Sequence, residues 1–153
     1  MKIIIAGGVT PFIEDEVSLT IDRLELKLKE CGHKVESVKI PFSLDHSKII
    51  PQLLALRLYH LEDECDRLIC INMPACLIGH TEKYLWLCGG DTRWPWQTDP
   101  EALKNDEIKA IREYTARACE RALSEAKKIC ARPETDTDWD AIIHDLTAEG
   151  AAK

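Results

Sequence analysis

The sequence predicts an α/β fold: a Rossmann-like, three-layer domain with a mainly parallel sheet. Two short apolar runs, LICINM and KYLWLC, are continuous rather than alternating, which is typical of strands buried on both faces of a sheet. The second run stops abruptly at Gly89 and Gly90, which indicates a strand that delivers a loop. Ligands of open α/β sheets bind outside the carboxyl ends of the strands, so we expect a site in the loops after Met73 and Cys88.

The first 41 residues predict one complete βαβ unit. KIIIAGG is typical of a buried strand, and KVESVKI alternates as a second strand that Pro41 ends. Between them, Thr10 can cap a helix, Pro11 suits its first position, and acidic residues there match the positive end of the helix dipole. The expected apolar stripe of this helix is Ile13, Val17, Ile21, Leu24, Leu28 and Cys31. Gly32 is expected to end the helix in the left-handed conformation.

The middle of the chain predicts a second helix and two further strands. The segment SKIIPQLLALRLYHL is strongly apolar with helical character, and Pro51 fits it only if the helix effectively starts near that residue. LICINM and KYLWLC are the third and fourth strands. Pro74 to Ile78 predict a single helical turn between them.

A long helix and a separate tail complete the chain. Asp106 to Cys130 carry an apolar stripe that becomes rich in small residues in its second half. ICA favours the start of a fifth strand, which RPETDTD halts before it is well formed. We therefore place the domain at residues 1–131 and a linker with a docked amphipathic C-terminal helix at residues 132–153. The apolar face of that last helix is Trp139, Ile142, Ile143 and Leu146.

Composition restricts the partners of this chain. It has 153 residues and a formal net charge of −7, which argues against nucleic acid as a partner, because nucleic-acid binding needs a basic surface. No apolar run approaches the length of a membrane span, and the first residues lead directly into a strand pattern rather than a signal peptide. These observations predict a cytoplasmic protein.

Seven cysteines raise the question of metal or disulfide chemistry. No C-x-x-C pair occurs, the count is odd, and most cysteines fall inside apolar patterns, where a free thiol acts as a small hydrophobic group. Reduced structural thiols are the favoured interpretation, with Cys76 or Cys88 as a nucleophile the alternative. We expect no metal and no cofactor.

The best candidate site follows the fourth strand. Two tryptophans beside an acid and an arginine suit a saccharide, since aromatic faces stack on sugar rings while charged groups bond hydroxyls. The residues of this substrate-binding hypothesis are Gly89, Gly90, Asp91, Arg93, Trp94 and Trp96. The alternative is a loop whose tryptophans pack on the long helix. His80 is a further candidate for the same cleft, although a histidine on the surface or one that supports the site from behind is the favoured interpretation.

Two weaker signals lie near the amino terminus. Gly7 and Gly8 follow the first strand and could pass close to a ligand, but they lack a full glycine-rich phosphate motif. The acidic cluster in the loop at the same end of the cleft is interpreted as a helix start matched to the dipole, with an acid/base pair as the alternative. Its residues are Glu14, Asp15 and Glu16. No set of nucleophile, base and orienting group is visible, so no catalytic residue is assigned.

Five stretches of the sequence carry a resemblance to a known family. They are KIIIAGGVTPF, LKECGHKVESVKIPF, DRLICINMPACLIGH, KYLWLCGGDTRWPW and the helix ending RALSEAKKIC. In the order of these stretches, the chain resembles the N-terminal, acceptor-side domain of the retaining GT-B glycosyltransferases of family four, which transfer sugar from nucleotide sugars. The tail TDWDAIIHDL resembles the last helix of such enzymes, which crosses back onto the N-terminal domain. The resemblance implies half of a GT-B fold without the nucleotide-sugar domain.

The chain also departs from that family. The family carries a Gly-Gly pair at the entry to its first helix, where this chain has its acidic cluster, and carboxylates there would repel a diphosphate. The fourth strand of the family commonly delivers a histidine, where this chain has Gly89 and Gly90, while Arg93 matches a family arginine. We therefore expect no sugar transfer by the chain alone.

Three hypotheses follow from the resemblance and its departures. The chain is half of a split enzyme, whose partner chain supplies the nucleotide-sugar domain for a carbohydrate acceptor. Alternatively it is a non-catalytic module that binds a carbohydrate or a protein, with a homodimer as one possible assembly. The third hypothesis is a truncated or engineered chain.

Overall fold

Five strands form one parallel sheet in the order β2-β1-β3-β4-β5. The computed structural model describes residues 1–9, 16–43, 46–72, 75–87, 106–131 and 139–147. The strands are β1 Lys2–Val9, β2 Lys34–Pro41, β3 Arg67–Cys70, β4 Lys83–Leu87 and β5 Lys128–Ala131. The helices are α1 Glu16–Glu30, α2 His46–Leu58, α3 Asp106–Glu125 and α4 Trp139–Thr147, with one 3₁₀ turn at Ala75–Leu77.

The side chains of β1 build a core on each face of the sheet. Ile3 and Ile5 are fully buried on one face, in a cluster that contains the apolar side of α1. Ile4 and Ala6 are buried on the other face, in a cluster with α2, the 3₁₀ turn and α3. Alternation along a strand sends successive side chains to opposite faces, so β1, which is apolar at every position after Lys2, must be covered on both faces. The predicted Rossmann-like, three-layer α/β fold is confirmed.

The end of α1 follows the predicted glycine cap. Gly32 has φ = 91°, a left-handed conformation that few other residues adopt at low cost. Its N–H donates to the carbonyl of Lys29 at 3.0 Å, and the N–H of His33 donates to that of Leu28 at 3.3 Å. This pair of bonds is the Schellman arrangement, which satisfies carbonyls that the helix itself leaves free.

Two predicted helix boundaries are wrong. α2 begins at His46, so Pro51 lies inside the helix rather than at its start. Pro51 has no N–H to donate within the helix, and it lies on the exposed side of α2. α3 ends at Glu125 instead of continuing to Cys130, because residues 128–131 pair with β4 as the complete short strand β5.

The short helix α4 packs on the same face of the sheet as α1. Ile142, Ile143 and Leu146 are buried in the cluster that contains Ile3 and Trp86. A nine-residue helix is marginally stable in isolation, so these contacts stabilise it. Within the described ranges, no helix has the length and apolar character that crossing a membrane requires.

Candidate functional site

The strand order places the expected ligand-binding crevice of an α/β sheet at the carboxyl ends of β1 and β3. β1 lies between β2 and β3, and α1 and α2, which lead into β2 and β3, cover opposite faces of the sheet. Where successive connections turn to opposite faces, the loops separate and leave a crevice outside the strand ends. The mouth of this crevice is formed by Gly8 and Val9 on β1 and by Asn72 after β3.

Asn72 joins the two sides of the crevice. Its Oδ1 accepts from the N–H of Gly8 at 2.8 Å, and its Nδ2 donates to the carbonyl of Gly8 at 2.8 Å. A backbone bond from Ile71 N–H to the Ala6 carbonyl, 3.0 Å long, extends the β1–β3 contact just before it. One side chain therefore holds the ends of β1 and β3 at a fixed separation.

Among the described residues, half of the hydrogen-bonding capacity of the Asn72 side chain is used. A primary amide has two N–H donors and an oxygen with two acceptor positions, and the contact with Gly8 uses one of each. Asn72 is half-buried rather than enclosed. Its second N–H and second acceptor position suit a neutral ligand rich in hydroxyl groups.

A second amide fixes the end of β2 in the same manner. Gln52 on α2 accepts from the N–H of Ser43 and donates to the carbonyl of Ser43, each at 2.8 Å. Ser43 follows β2, so this contact also lies at the carboxyl edge of the sheet. Two side-chain amides thus fix the ends of three adjacent strands.

The two glycines of β1 serve the fold. A Cβ atom on Gly7 would lie 2.6 Å from Cδ1 of Ile21 and 3.2 Å from Cγ1 of Val17, so Gly7 permits the close approach of α1 to the sheet. The N–H of Gly8 is bonded to Asn72, which removes it as a donor to a phosphate. The structure brings Gly7 and Gly8 to the crevice without making them a phosphate cradle.

His80 lies at the opposite edge of the sheet. It precedes β4, and its Nε2 is 2.9 Å from the carbonyl of Cys65, which precedes β3. The N–H of Glu82 donates to Nδ1 of His80 at 2.9 Å, so Nδ1 is unprotonated and Nε2 carries the hydrogen. Both ring nitrogens have partners there, and the structure does not bring His80 to the crevice.

The thiol of Cys76 is unsuited to nucleophilic attack. Burial raises the pKa of the Cys76 thiol well above its ordinary value, and contact with the Cys70 thiol raises it further. Cys76 is fully buried, and its thiol donates to the carbonyl of Asn72 at 3.0 Å. The protonated thiol is therefore a structural part of the loop that carries Asn72.

A buried lysine holds the 3₁₀ turn below the crevice. The ammonium of Lys83 donates to the carbonyl of Cys76 at 2.7 Å and to that of Ile78 at 3.3 Å. Lys83 is only 1% exposed, so these carbonyls supply the contacts that a buried cation needs. Lys83 is a positioning group for the turn rather than an accessible base.

Most of the other predicted site residues lie outside the described part of the chain. These are Glu14, Asp15, Gly89, Gly90, Asp91, Arg93, Trp94 and Trp96, while Glu16 is the first residue of α1. Sequence analysis overlooked Asn72. The signal for it was an amide residue near the end of the apolar run LICINM, two residues beyond the end of β3.

The described residues contain no group of three or more histidine, cysteine or acidic side chains placed to hold a metal ion. Comparison with protein-family models, with curated proteins and with solved structures found no match. The functional proposals therefore depend on the geometry of the crevice and on the resemblance carried by the sequence.

Proposed function

We propose that this chain is an acceptor-side domain of the retaining GT-B type, which holds a saccharide at the carboxyl edge of β1, β3 and β4. The observation that carries the proposal is the Asn72–Gly8 contact, which fixes the crevice and leaves one donor and one acceptor available. Saccharide hydroxyls both donate and accept, so they match this free half of the amide. The segment after β4 in the sequence supplies Trp94 and Trp96 as stacking faces.

The position of α4 supports the same proposal. The resemblance implies a last helix that folds back onto the N-terminal domain, and α4 packs against the sheet beside α1. The parallel order of the strands and the alternation of strands and helices also agree with half of a GT-B fold. We propose that sugar transfer requires a partner chain that provides the nucleotide-sugar domain.

The proposal is tested by titrating the ¹⁵N-labelled protein with neutral disaccharides, namely maltose, cellobiose and lactose. Binding at the crevice is expected to shift the amide signals of Gly8, Val9 and Ile71 in a saturable manner. Asn72→Ala should weaken that binding about tenfold or more, because it removes the hydrogen bonds between the Asn72 amide and the saccharide. Gln52→Ala is the matched control, since it removes an equivalent amide contact at the neighbouring strand. Equal weakening in both variants would contradict a site at Asn72.

A second assay examines the aromatic part of the site. Trp94→Ala is expected to abolish the fluorescence change caused by the disaccharide that binds, with a nearly unchanged melting temperature. A large fall in the melting temperature would instead show that Trp94 is a packing residue.

A non-catalytic binding module is the second candidate function. Three observations favour it. Gly8 at the crevice is bonded to Asn72, and the Cys76 thiol is buried. His80 lies at the opposite edge of the sheet, away from the crevice. Incubation with UDP-glucose and the bound disaccharide separates the candidates. Both candidate functions predict that the chain alone forms no product. Product that forms only when a captured second chain is added supports the split enzyme. Product formed by the chain alone would contradict the proposed dependence on a partner.

A further inference from the structure

A groove lined by three arginines lies between α2 and α3, away from the crevice at the strand ends. Its volume is about 370 Å³, which falls within the range of small-molecule sites. Leu53 and Leu77, each 1% exposed, form part of its apolar wall. Its full lining is Leu53, Arg57, Leu77, Tyr114, Arg117, Ala118 and Arg121.

The helical spacing explains why these side chains meet. Tyr114, Arg117, Ala118 and Arg121 follow steps of three and four along α3, so they share one face of that helix. Arg57 stands one turn after Leu53 on α2 and reaches the same groove. The packing of α2 against α3 over the 3₁₀ turn therefore places three cations around the apolar wall of the groove.

One carboxylate already occupies the rim of the groove. Glu125 accepts two bonds from Arg57, at 2.8 and 2.9 Å, and one from Nε of Arg121 at 3.1 Å. Two of the three guanidinium groups thus contact one carboxylate. The contact with Arg121 uses only Nε, which leaves its terminal nitrogens free of Glu125. Among the described residues, Arg117 has no hydrogen-bond or ion-pair partner.

We propose that this groove binds a small organic anion, one that carries a phosphate or carboxylate group on an apolar body. The anionic group lies between Arg117 and Arg121, whose planar donors match the oxygens of either group. The apolar body lies against the half-buried side chains of Tyr114 and Ala118, above Leu53 and Leu77. The bond between Arg57 and Glu125 shows the same recognition within the protein itself. A free small molecule is favoured over an anionic membrane, because the net charge of −7 repels such a surface.

The proposal predicts opposite effects for two variants. Arg117→Gln removes a cation from the groove and should weaken binding of the anion about tenfold. Glu125→Gln removes the internal competitor and frees Arg57 and Arg121, so it should tighten binding severalfold. Both substitutions lie on an exposed part of α3, and neither is expected to prevent folding.

Phenyl phosphate is the probe, followed by changes in the NMR signals of Leu77, Ala118 and the arginine Nε–H groups. Arg112→Gln is the control for charge removed from α3, since it lies about 140° around the helix from Arg117. Glu36→Gln on β2 is the control for a carboxylate removed elsewhere. Neither control should change the affinity appreciably.

Saturable shifts confined to the groove, weakened by Arg117→Gln and tightened by Glu125→Gln, would support the site. Equal effects of Arg117→Gln and Arg112→Gln would overturn it, because general charge attraction would then explain the binding. Linear shifts without saturation would overturn it as well. Inorganic phosphate should bind at least tenfold more weakly than phenyl phosphate. Equal affinity of the two would refute the role of the apolar wall.

Discussion

The guanidinium of Arg67 donates a 2.6 Å hydrogen bond to the carbonyl oxygen of Leu146, which ties the first residue of β3 to the last turn of α4. Arg67 is only 4% exposed, and its guanidinium carbon lies 4.1 Å from the centroid of the Tyr84 ring. The last carbonyls of a helix have no partner within it and carry partial negative charge. A buried cation at this point satisfies one of them.

Arg67→Ala is expected to lower the free energy of unfolding by about 2–3 kcal/mol, because it removes a charge-assisted hydrogen bond and leaves the Leu146 carbonyl without a donor. Urea denaturation measures the loss, and hydrogen exchange should show faster exchange throughout α4. Arg57→Ala is the matched control, since that arginine forms a surface pair worth less than about 1 kcal/mol. Unchanged hydrogen exchange in α4 would contradict a stabilising role for the hydrogen bond between Arg67 and Leu146.

Leu146→Ala should cost about 2–4 kcal/mol of stability, since Leu146 is fully buried between α4 and the sheet and its loss leaves a cavity. The exposed neighbour His144 provides the control, and His144→Ala should change stability by less than about 0.5 kcal/mol. Thermal and urea unfolding of both variants give the comparison. Similar small losses would mean that α4 contributes little to the core.

Gly7→Ala should destabilise the protein by about 1–3 kcal/mol, because the new methyl group would overlap Cδ1 of Ile21. Ile21→Val removes that atom, so the double variant should lose less stability than the sum of the two single variants. A double-mutant cycle in urea measures this coupling. Additive losses would show that α1 avoids the overlap by moving.

Acid should weaken the protein in part through Glu125. Its hydrogen bond with Arg57 lowers the pKa of Glu125 from 4.5 to about 2, so the unfolded chain binds a proton more readily. The stabilisation is present above about pH 5 and is lost as the pH falls towards 2. Because 40% of the side chain is exposed, the contribution is below about 1 kcal/mol.

Glu125→Gln should therefore reduce the slope of stability against pH between about 5 and 2, as measured by urea unfolding at several pH values. Glu36→Gln, which removes an exposed carboxylate elsewhere, should leave the slope nearly unchanged. The same slope in wild type and Glu125→Gln would contradict the lowered pKa.

Thiol labelling should separate two classes of cysteine. Burial raises the pKa of Cys65 to about 11 and that of Cys119 to about 11, which suppresses the reactive thiolate. The buried thiols are Cys65, Cys70, Cys76 and Cys119. With seven cysteines in the chain, at most three should react with Ellman's reagent before unfolding, and all seven in denaturant. Rapid labelling of four or more in the native protein would contradict this burial.

The sequence was informative about the fold where a local signal agreed with the tertiary packing. Continuous apolar runs identified the buried strands, and Gly32 marked the end of α1 because a left-handed residue is a local requirement. The predicted end of α3 was wrong for a tertiary reason. The pairing of Lys128–Ala131 with β4 overrides the helical pattern that continues to Cys130.

The candidate site was only partly predictable. Its location followed from the rule for parallel sheets, whereas the role of Asn72 depends on a contact across 64 residues that no local pattern encodes. The arginine groove was missed for the same reason. Arg57 and Arg121 lie on different helices, and only the packing of α2 on α3 brings them to one cavity.

The position of β1 between β2 and β3 has a consequence during synthesis on the ribosome. The chain makes β1 first, and its partner on one side, β2, is complete at Pro41, but its other partner ends at Cys70. Until about 29 further residues have emerged, one edge of an apolar strand stays unpaired and open to aggregation. At ordinary rates of translation that interval lasts roughly 1.5 to 6 seconds. Slower decoding of codons 42–70 should therefore increase aggregation of the nascent protein, although the finished sequence is identical.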